Sequence, residues 1–426
     1  MFLFAGSCAS TGSFNAIDGE LGYSRYAESI ALLEKNKKFL YSNRDTVLYC
    51  LDKGMLSHYA QLYADSSRLL EDGERAIEEA FTKSVTQEIS AFLINDNARD
   101  YGGEDYEDIY INVFNALNYH HRGEPEGAMV EIRRMNSKLE YLAFKYDASL
   151  ARLRKKAQED SSVSMPPEPA RPAQFSNSAL ARYLGMLFYR GAGLHDSARI
   201  DRDWLRAAFA GSPAVYKQPV PSSISGELAI PEGMARLNVL SFAGLSPVKR
   251  EAVMRLPIGN GRWIKIALPE MASRRSSVSR AEIVFENGNA MELELLEDID
   301  AVAKETFKFR QRLVYLKTVI RATAKSVTSS AFMAAAREAD GDAGLIYELI
   351  SIAAQFFAEL SEQADLRVSR YFPAKAYIGG INLPPGSYSF QVKFYGKNGR
   401  EIDSVWFREM IVREGALNLA EAVCLK

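Results

Sequence analysis

Apolar positions recur every three or four residues through 20–94, a spacing that predicts helices across that stretch. Ala27, Ile30, Leu33, Phe39 and Leu40 form one stripe. Val47, Leu48, Leu51, Met55 and Tyr59 form a second, and Leu69, Leu70, Ala76, Ile77 and Phe81 a third. A long helix is predicted over 124–158, with Met129, Ile132, Met135, Leu139, Leu142 and Phe144 available for burial. It fades into S-S-V-S-M-P-P-E-P-A-R-P-A (161–173), which marks a polar, extended linker at about 159–176. A further helical hairpin is predicted over 177–210.

After Pro221 the period shortens to two. A-R-L-N-V-L-S-F-A (235–243), R-W-I-K-I-A-L (262–268), A-E-I-V-F-E (281–286) and A-M-E-L-E-L-L (290–296) read as strands, with Asn287-Gly288-Asn289 as the turn between the last two. Helices return over 298–337 and 343–363. Strands then close the pattern, among them 387–395 and 402–407. The chain therefore reads as α+β: a tether at 1–19, a helical region at 20–222, strands and two packed helices at 223–366, and an antiparallel sheet or sandwich at 367–426.

Composition adds little beyond solubility. The chain has 426 residues, 47% of them hydrophobic and 25% charged, with a formal net charge of −2. That balance gives no reason to expect nucleic acid as a partner. The basic residues of 298–337 (Lys304, Lys308, Arg310, Arg312, Lys317, Arg321, Lys325) are offset by Glu294, Glu297, Asp298 and Asp300 just upstream, and read as a solvated face. Four histidines and three cysteines are few for zinc chemistry or a disulfide framework.

One pattern recurs at long range. The segment A-L-N-Y-H-H-R-G-E-P-E-G-A (116–128) lies over M-L-F-Y-R-G-A-G-L-H-D-S-A (186–198). Tyr119, Gly123 and Ala128 match Tyr189, Gly193 and Ala198. Leu117 matches Leu187, and Glu126 matches Asp196. This combination resembles the contact region of a tetratricopeptide-repeat hairpin. There a tyrosine fills the space between two helices, a glycine makes the turn and a small residue allows close approach. Gly54 and Ser66 repeat the spacing of Ala116 and Ala128, a fainter copy. The repeat's usual tryptophan position, seven residues before the tyrosine, holds Asn112 and Arg182. Hairpins of this kind bind other proteins and do no chemistry.

No catalytic constellation, cofactor motif or metal-binding spacing emerges. There is no phosphate loop and no dinucleotide fingerprint. His120 and His121 are adjacent and diverge on a helix, reading as an interhelical filler and a surface group. His58 and His195 have no sequence-local partner. Cys50 reads as core, and Cys424 lies near the end of the last strand region. The turn-rich I-N-D-N-A-R-D-Y-G-G-E-D-Y-E-D (94–108) lacks the ligand spacing of a calcium loop. It is the candidate interaction loop, through Asp96, Asn97, Arg99, Asp100 and Tyr101.

The first ten residues, M-F-L-F-A-G-S-C-A-S, place small residues before Cys8, as in the lipid-attachment site of a bacterial lipoprotein. The basic and long apolar parts of a signal peptide are missing. L-Y-C-L-D-K-G-M-L (48–56), N-D-N-A-R-D-Y-G-G-E-D-Y-E (95–107), A-L-N-Y (116–119), V-E-I-R-R-M-N (130–136), E-Q-A-D-L-R (362–367) and L-P-P-G-S-Y (383–388) together resemble an uncharacterised family of bacterial envelope lipoproteins with tetratricopeptide-like helices. The resemblance implies lipidation at Cys8, a lipid anchor as the sole membrane attachment, and a body facing the periplasm or outer membrane. The partner it suggests is another envelope protein, linked to peptidoglycan synthesis. The expectation is a non-catalytic scaffold. Two alternatives stand beside it: a cell-wall enzyme or ligand-binding protein using the 95–108 loop, and a cytosolic adaptor of the same repeat type.

Overall fold

The computed structural model describes residues 5–86, 99–142, 144–145, 151, 175, 177–257, 263–326 and 364–426. The chain is α+β. Among the described residues eight helices come first: α1 (Ala5–Gly22), α2 (Tyr26–Leu40), α3 (Thr46–Tyr59), α4 (Tyr63–Thr86), α5 (Asp105–His121), α6 (Pro125–Leu142), α7 (Ala179–Gly191) and α8 (His195–Gly211). Each packs on its neighbour in sequence, so the array grows in one direction. Residues 11–16, expected as flexible tether, lie inside α1. Ile17 and Leu21 stand four residues apart on one face and are buried, which holds the helix against the core.

The helices pair into four hairpins, and all four turn the same way. Ser24, Gln61, Gly123 and Gly193 each take a positive φ, between 58° and 73°. Each donates its N–H to the carbonyl three residues back: Leu21, His58, His120 and Arg190. The next residue, Arg25, Leu62, Glu124 or Leu194, then bonds five residues back, to Glu20, Ser57, Tyr119 or Tyr189. Glycine is the least strained residue in this left-handed position, which explains Gly123 and Gly193.

The repeat extends below the turn. Asn112 on α5 donates to Glu131 on α6 at 2.7 Å, and Arg182 on α7 donates to Asp201 on α8 at 3.0 Å. Both pairs span 19 residues, and all four side chains are buried. A buried polar rung therefore occupies the same place in both hairpins. Asn112 also reaches Glu74 on α4 at 3.0 Å, tying the second hairpin to the third.

The strands are β1 (Ala235–Leu245), β2 (Val248–Pro257), β3 (Trp263–Ala272), β4 (Arg280–Phe285), β5 (Ala290–Asp298), β6 (Pro373–Leu383), β7 (Gly386–Tyr395), β8 (Glu401–Val412) and β9 (Asn418–Cys424). Among the described residues seven of them form one sheet in the order β8-β7-β4-β5-β6-β1-β9, and β2 pairs with β3 as a separate hairpin. The two strand regions expected separately, at 223–366 and 367–426, thus combine into one sheet. The expected all-antiparallel arrangement is also incomplete, because β9 runs parallel to β1 with Leu237 opposite Asn418. β8 and β9, the two ends of the order, lie against each other, so the sheet is largely closed.

Closure gives the sheet two apolar faces. Leu237, Val239, Ile283, Leu293, Phe390, Val392, Phe394 and Ala422 fill its interior. Leu240, Phe242, Leu296 and Leu419 face outward into a second core shared with the helices. β1 is consequently buried along its whole length. Helix α9 (Ile299–Ser326) packs on β3, β6 and α5 through Ile299, Val302, Ala303 and Phe307. The predicted helix at 343–363 and most of the predicted linker lie outside the described residues.

Candidate functional site

Almost every residue of α3, α5 and α7 is buried, whereas α2, α6 and α8 bury one face each. Helices α3, α5 and α7 form the inner face of the array, and the sheet and the segment before β6 cover it. Phe114 of α5 meets Phe242 of β1 at 5.1 Å and Phe372 at 5.9 Å between ring centres. Polar side chains on this inner face would be costly unless paired. Four clusters pair them.

The first cluster grips the strand entering β6. Asp52 of α3 accepts from Ser369 Oγ (2.8 Å), the Arg370 N–H (2.7 Å) and Tyr41 Oη (2.7 Å). Glu107 of α5 accepts from the Ser369 N–H at 2.5 Å, the Glu104 N–H at 2.8 Å and Tyr101 Oη at 2.8 Å. Burial pushes the Asp52 carboxyl up to about 6, against the pull of its donors. Burial and the neighbouring Glu104 carboxylate push Glu107 up to about 7.

The second cluster has no cation among the described residues. Glu297 of β5 accepts from Tyr110 Oη (2.5 Å), Tyr216 Oη (2.5 Å), Ser178 Oγ (2.8 Å) and the Leu180 N–H (3.2 Å). Ser178 is the N-cap of α7, so the carboxylate sits at the positive end of that helix. Burial raises its pKa despite these four donors. In the third cluster Glu227 lies 2.5 Å from Arg190 and 2.9 Å from Arg236, and Asn238 bridges Arg190 and Tyr183.

The fourth cluster joins α3 and α5 to β9. Asn118 donates from Nδ2 to Ser66 Oγ, which itself donates to the Gly54 carbonyl. That fixes the Asn118 amide with its oxygen towards His58 Nδ1, at 2.7 Å. His58 Nε2 lies 2.7 Å from one oxygen of Glu421, and His121 Nε2 lies 2.6 Å from the other. Both nitrogens of His58 face acceptors, so the imidazolium satisfies the site. Burial pulls the His58 pKa down, but the Glu421 carboxylate outweighs it and the net shift is upward. Burial alone would raise Glu421, and the two imidazoles instead hold it far below the usual carboxylate range. Tyr63 stacks on His121 with ring centres 4.4 Å apart.

The carboxylates of the first three clusters are sealed from solvent. Asp52, Glu107, Glu227 and Glu297 have at most 1% of their surface exposed. Their chemistry is that of a polar seam between two halves of the protein. Among the described residues, no group of three or more His, Cys, Asp or Glu is arranged to hold a metal ion.

Several residues of the candidate loop make internal bonds. Tyr101 is buried and bonded to Glu107. Glu104 meets Lys249 at 2.5 Å and Arg310 at 2.9 Å, Asp105 meets Lys145, and Asp108 meets Lys138. The Arg99 carbonyl accepts from Arg367, and exposed Asp100 lies 3.5 Å from Lys83. Asp96 and Asn97 lie outside the described residues. Tyr101 is therefore a core residue, because its ring fills the space beside Glu107 and Arg367.

Ala128 and Ala198 are fully buried, and Tyr119 and Tyr189 are partly buried against the core. His120 packs on Phe188 at 5.7 Å, and burial lowers its pKa to about 4. His121, expected at the surface, instead bonds Glu421. Cys8 falls within α1, and Cys50 and Cys424 are buried free thiols. Sequence reasoning missed the His58–Glu421 pair, whose members lie 363 residues apart.

One open concavity lies on the opposite side of the helices. It has a volume of about 740 Å³ and runs between α4 and α6 over Tyr119. Glu71, Glu74, Glu131, Arg134 and Lys138 line it, with Val130 at its rim. Tyr119 Oη donates to Glu71 at 2.8 Å, and Lys138 bridges Glu74 and Asp108 at 2.6 Å each. Among the described residues, no helix is long and apolar enough to cross a membrane. Comparison with protein-family models, curated proteins and solved structures finds no match.

Proposed function

We propose that the chain is a non-catalytic scaffold of tetratricopeptide-like hairpins, tethered to a membrane through lipid on Cys8, that engages another cell-envelope protein. The observation that carries this reading is the turn shared by all four hairpins, together with the buried rung repeated in two of them. The inner face that such arrays usually offer to a partner is here covered by the chain's own sheet. The partner surface is therefore assigned to the outer groove between α4 and α6, which is open and mixed in charge. The enzyme alternative has less support, because Tyr101, Glu104 and Glu107 are spent on internal bonds.

The test is a photo-crosslinking residue at Val130, which is 43% exposed at the groove rim, with Tyr23 as the control position. The expected result is capture of one envelope protein from Val130 alone, lost when Glu71→Gln and Arg134→Ala are combined. Equal capture from both positions, or none, would refute the groove assignment. Cys8→Ser should move the protein from the membrane to the soluble fraction. An unchanged distribution would refute the tether and favour the cytosolic adaptor.

A further inference from the structure

We propose that the seam between the helical array and the sheet is a pH-responsive joint, closed in mild acid and loosened as the medium turns alkaline. The geometry carries this. Two segments of the sheet half, β9 and residues 368–372, dock on the inner face of α3 and α5 through apolar contacts such as Phe372 on Phe114 and through a set of ionisable side chains. His58, His121 and Glu421 hold β9. Asp52 and Glu107 hold Ser369 and Arg370.

The hydrogen-bond directions set the proton requirement. With the Asn118 oxygen facing Nδ1 and the Glu421 carboxylate facing Nε2, His58 must carry both protons to complete its bonds. Loss of one proton leaves Nε2 and a carboxylate oxygen, two acceptors, opposed at 2.7 Å. Asp52 and Glu107 are buried with few compensating charges. Asp52 faces Tyr41, Ser369 and Arg370, and Arg370 is itself shared with Asp18 at 3.1 Å. Glu107 faces Tyr101, Tyr106 and Glu104, whose own charge is taken by Lys249 and Arg310. Burial therefore opposes ionisation of either carboxyl and outweighs the three hydrogen bonds that each accepts.

The signs agree. His58 is raised in the folded state, so its contribution is complete below its unfolded value of 6.5 and is lost as pH rises through the folded one. Asp52 and Glu107 are raised carboxyls, so the folded state loses stability as pH climbs from 3.8 to about 6 and from 4.5 to about 7. Glu421 is depressed, and its contribution stays constant above 4.5. His120, lowered to about 4 beside the Leu419 backbone, opposes the others below 6.5 and is silent above it. Between roughly pH 5.5 and 8.5 the balance favours opening by about tenfold or more.

Hydrogen exchange on the intact chain tests this, with rates corrected for intrinsic pH dependence. Amides of Asn418–Cys424 and of residues 368–372 should lose about tenfold in protection from pH 5.5 to 8.5, while amides of β7 lose less. Asp52→Asn, Glu107→Gln and Glu421→Gln together supply neutral side chains that can keep bonds to Ser369, Arg370 and the two imidazoles. In one orientation the amide introduced on β9 donates to His58 Nε2 and accepts from His121. In that variant the seam amides should keep their protection within about threefold. Constant protection in the parent, equal loss at β7, or full pH dependence in the variant would overturn the proposal. If the variant does not fold, the comparison of β9 with β7 in the parent decides.

Discussion

Arg182→Met tests whether the polar rung is a matched pair or an accident of packing. Arg182 is 8% exposed and Asp201 3%. The guanidinium donates to Asp201 Oδ1, bonds Asn177 at 2.8 Å and lies 5.4 Å from the Trp204 ring centre. The second Asp201 oxygen is buried and already has no hydrogen-bond partner. Methionine preserves most of the packed stem but strands the carboxylate, which should cost about 3–5 kcal/mol. Burial already raises the Asp201 pKa with Arg182 in place, so without it the carboxyl takes up a proton more readily. The deficit should therefore shrink as pH falls from 7 towards 4.5. Adding Asp201→Leu removes the stranded charge, and the double variant should return to within about 1–2 kcal/mol of the parent. Urea unfolding followed by far-ultraviolet circular dichroism measures all three chains. A loss below about 1 kcal/mol in the single variant, or a double variant as unstable as the single, would refute the reasoning. Asn112→Leu supplies the internal comparison. Glu131 keeps Arg134 at 3.2 Å, so the loss there should be smaller, about 1–2 kcal/mol.

Three further outcomes follow from the same geometry. Gly193→Ala puts a Cβ into open space at φ +73°, so only backbone strain opposes it, and a loss of about 1–2 kcal/mol is expected in thermal unfolding. Glu297→Gln places an amide nitrogen against donors that the carboxylate accepts, and should lower urea stability at pH 7 by about 1–3 kcal/mol. Phe114→Ala empties the contact between α5, Phe242 and Phe372. It should cost about 3–5 kcal/mol and lower the midpoints of helix and sheet signals together; a shift of one signal alone would show that the halves unfold independently.

The helical half was readable because its information is local. Gly123 and Gly193 mark a turn geometry, and Tyr119 and Tyr189 count residues back from it. That Asn112 and Arg182 hold equivalent positions was visible, but their role was not. The acids that complete each rung sit on the next helix, 19 residues on. β4, β5, β7 and β8 announced themselves by alternation, since each has a more exposed face. β6 and β9 did not stand out. β6 is buried on both sides for much of its length and carries Gly379-Gly380, and β9 is built largely of small residues. The seam was least legible of all. Asp52 falls in no motif, Glu107 is one acid among several in the turn-rich 94–108 segment, and His58 reads as an isolated histidine. Their partners are set by strand pairing that no local spacing encodes.

The strand order also dictates a sequence of folding events. Each helical hairpin closes on contacts a few tens of residues apart, whereas Ala235 awaits Leu383 and Leu237 awaits Asn418. Low-separation pairs form fast and distant ones slowly. During synthesis the helices can assemble well before β6 and β9 emerge, and for that interval the inner face lacks part of its cover, with Phe114 awaiting Phe372 and His58 awaiting Glu421. The nascent chain is thus most vulnerable to aggregation late in translation. A holdase acting on the helical half would be most needed just before β9 leaves the ribosome.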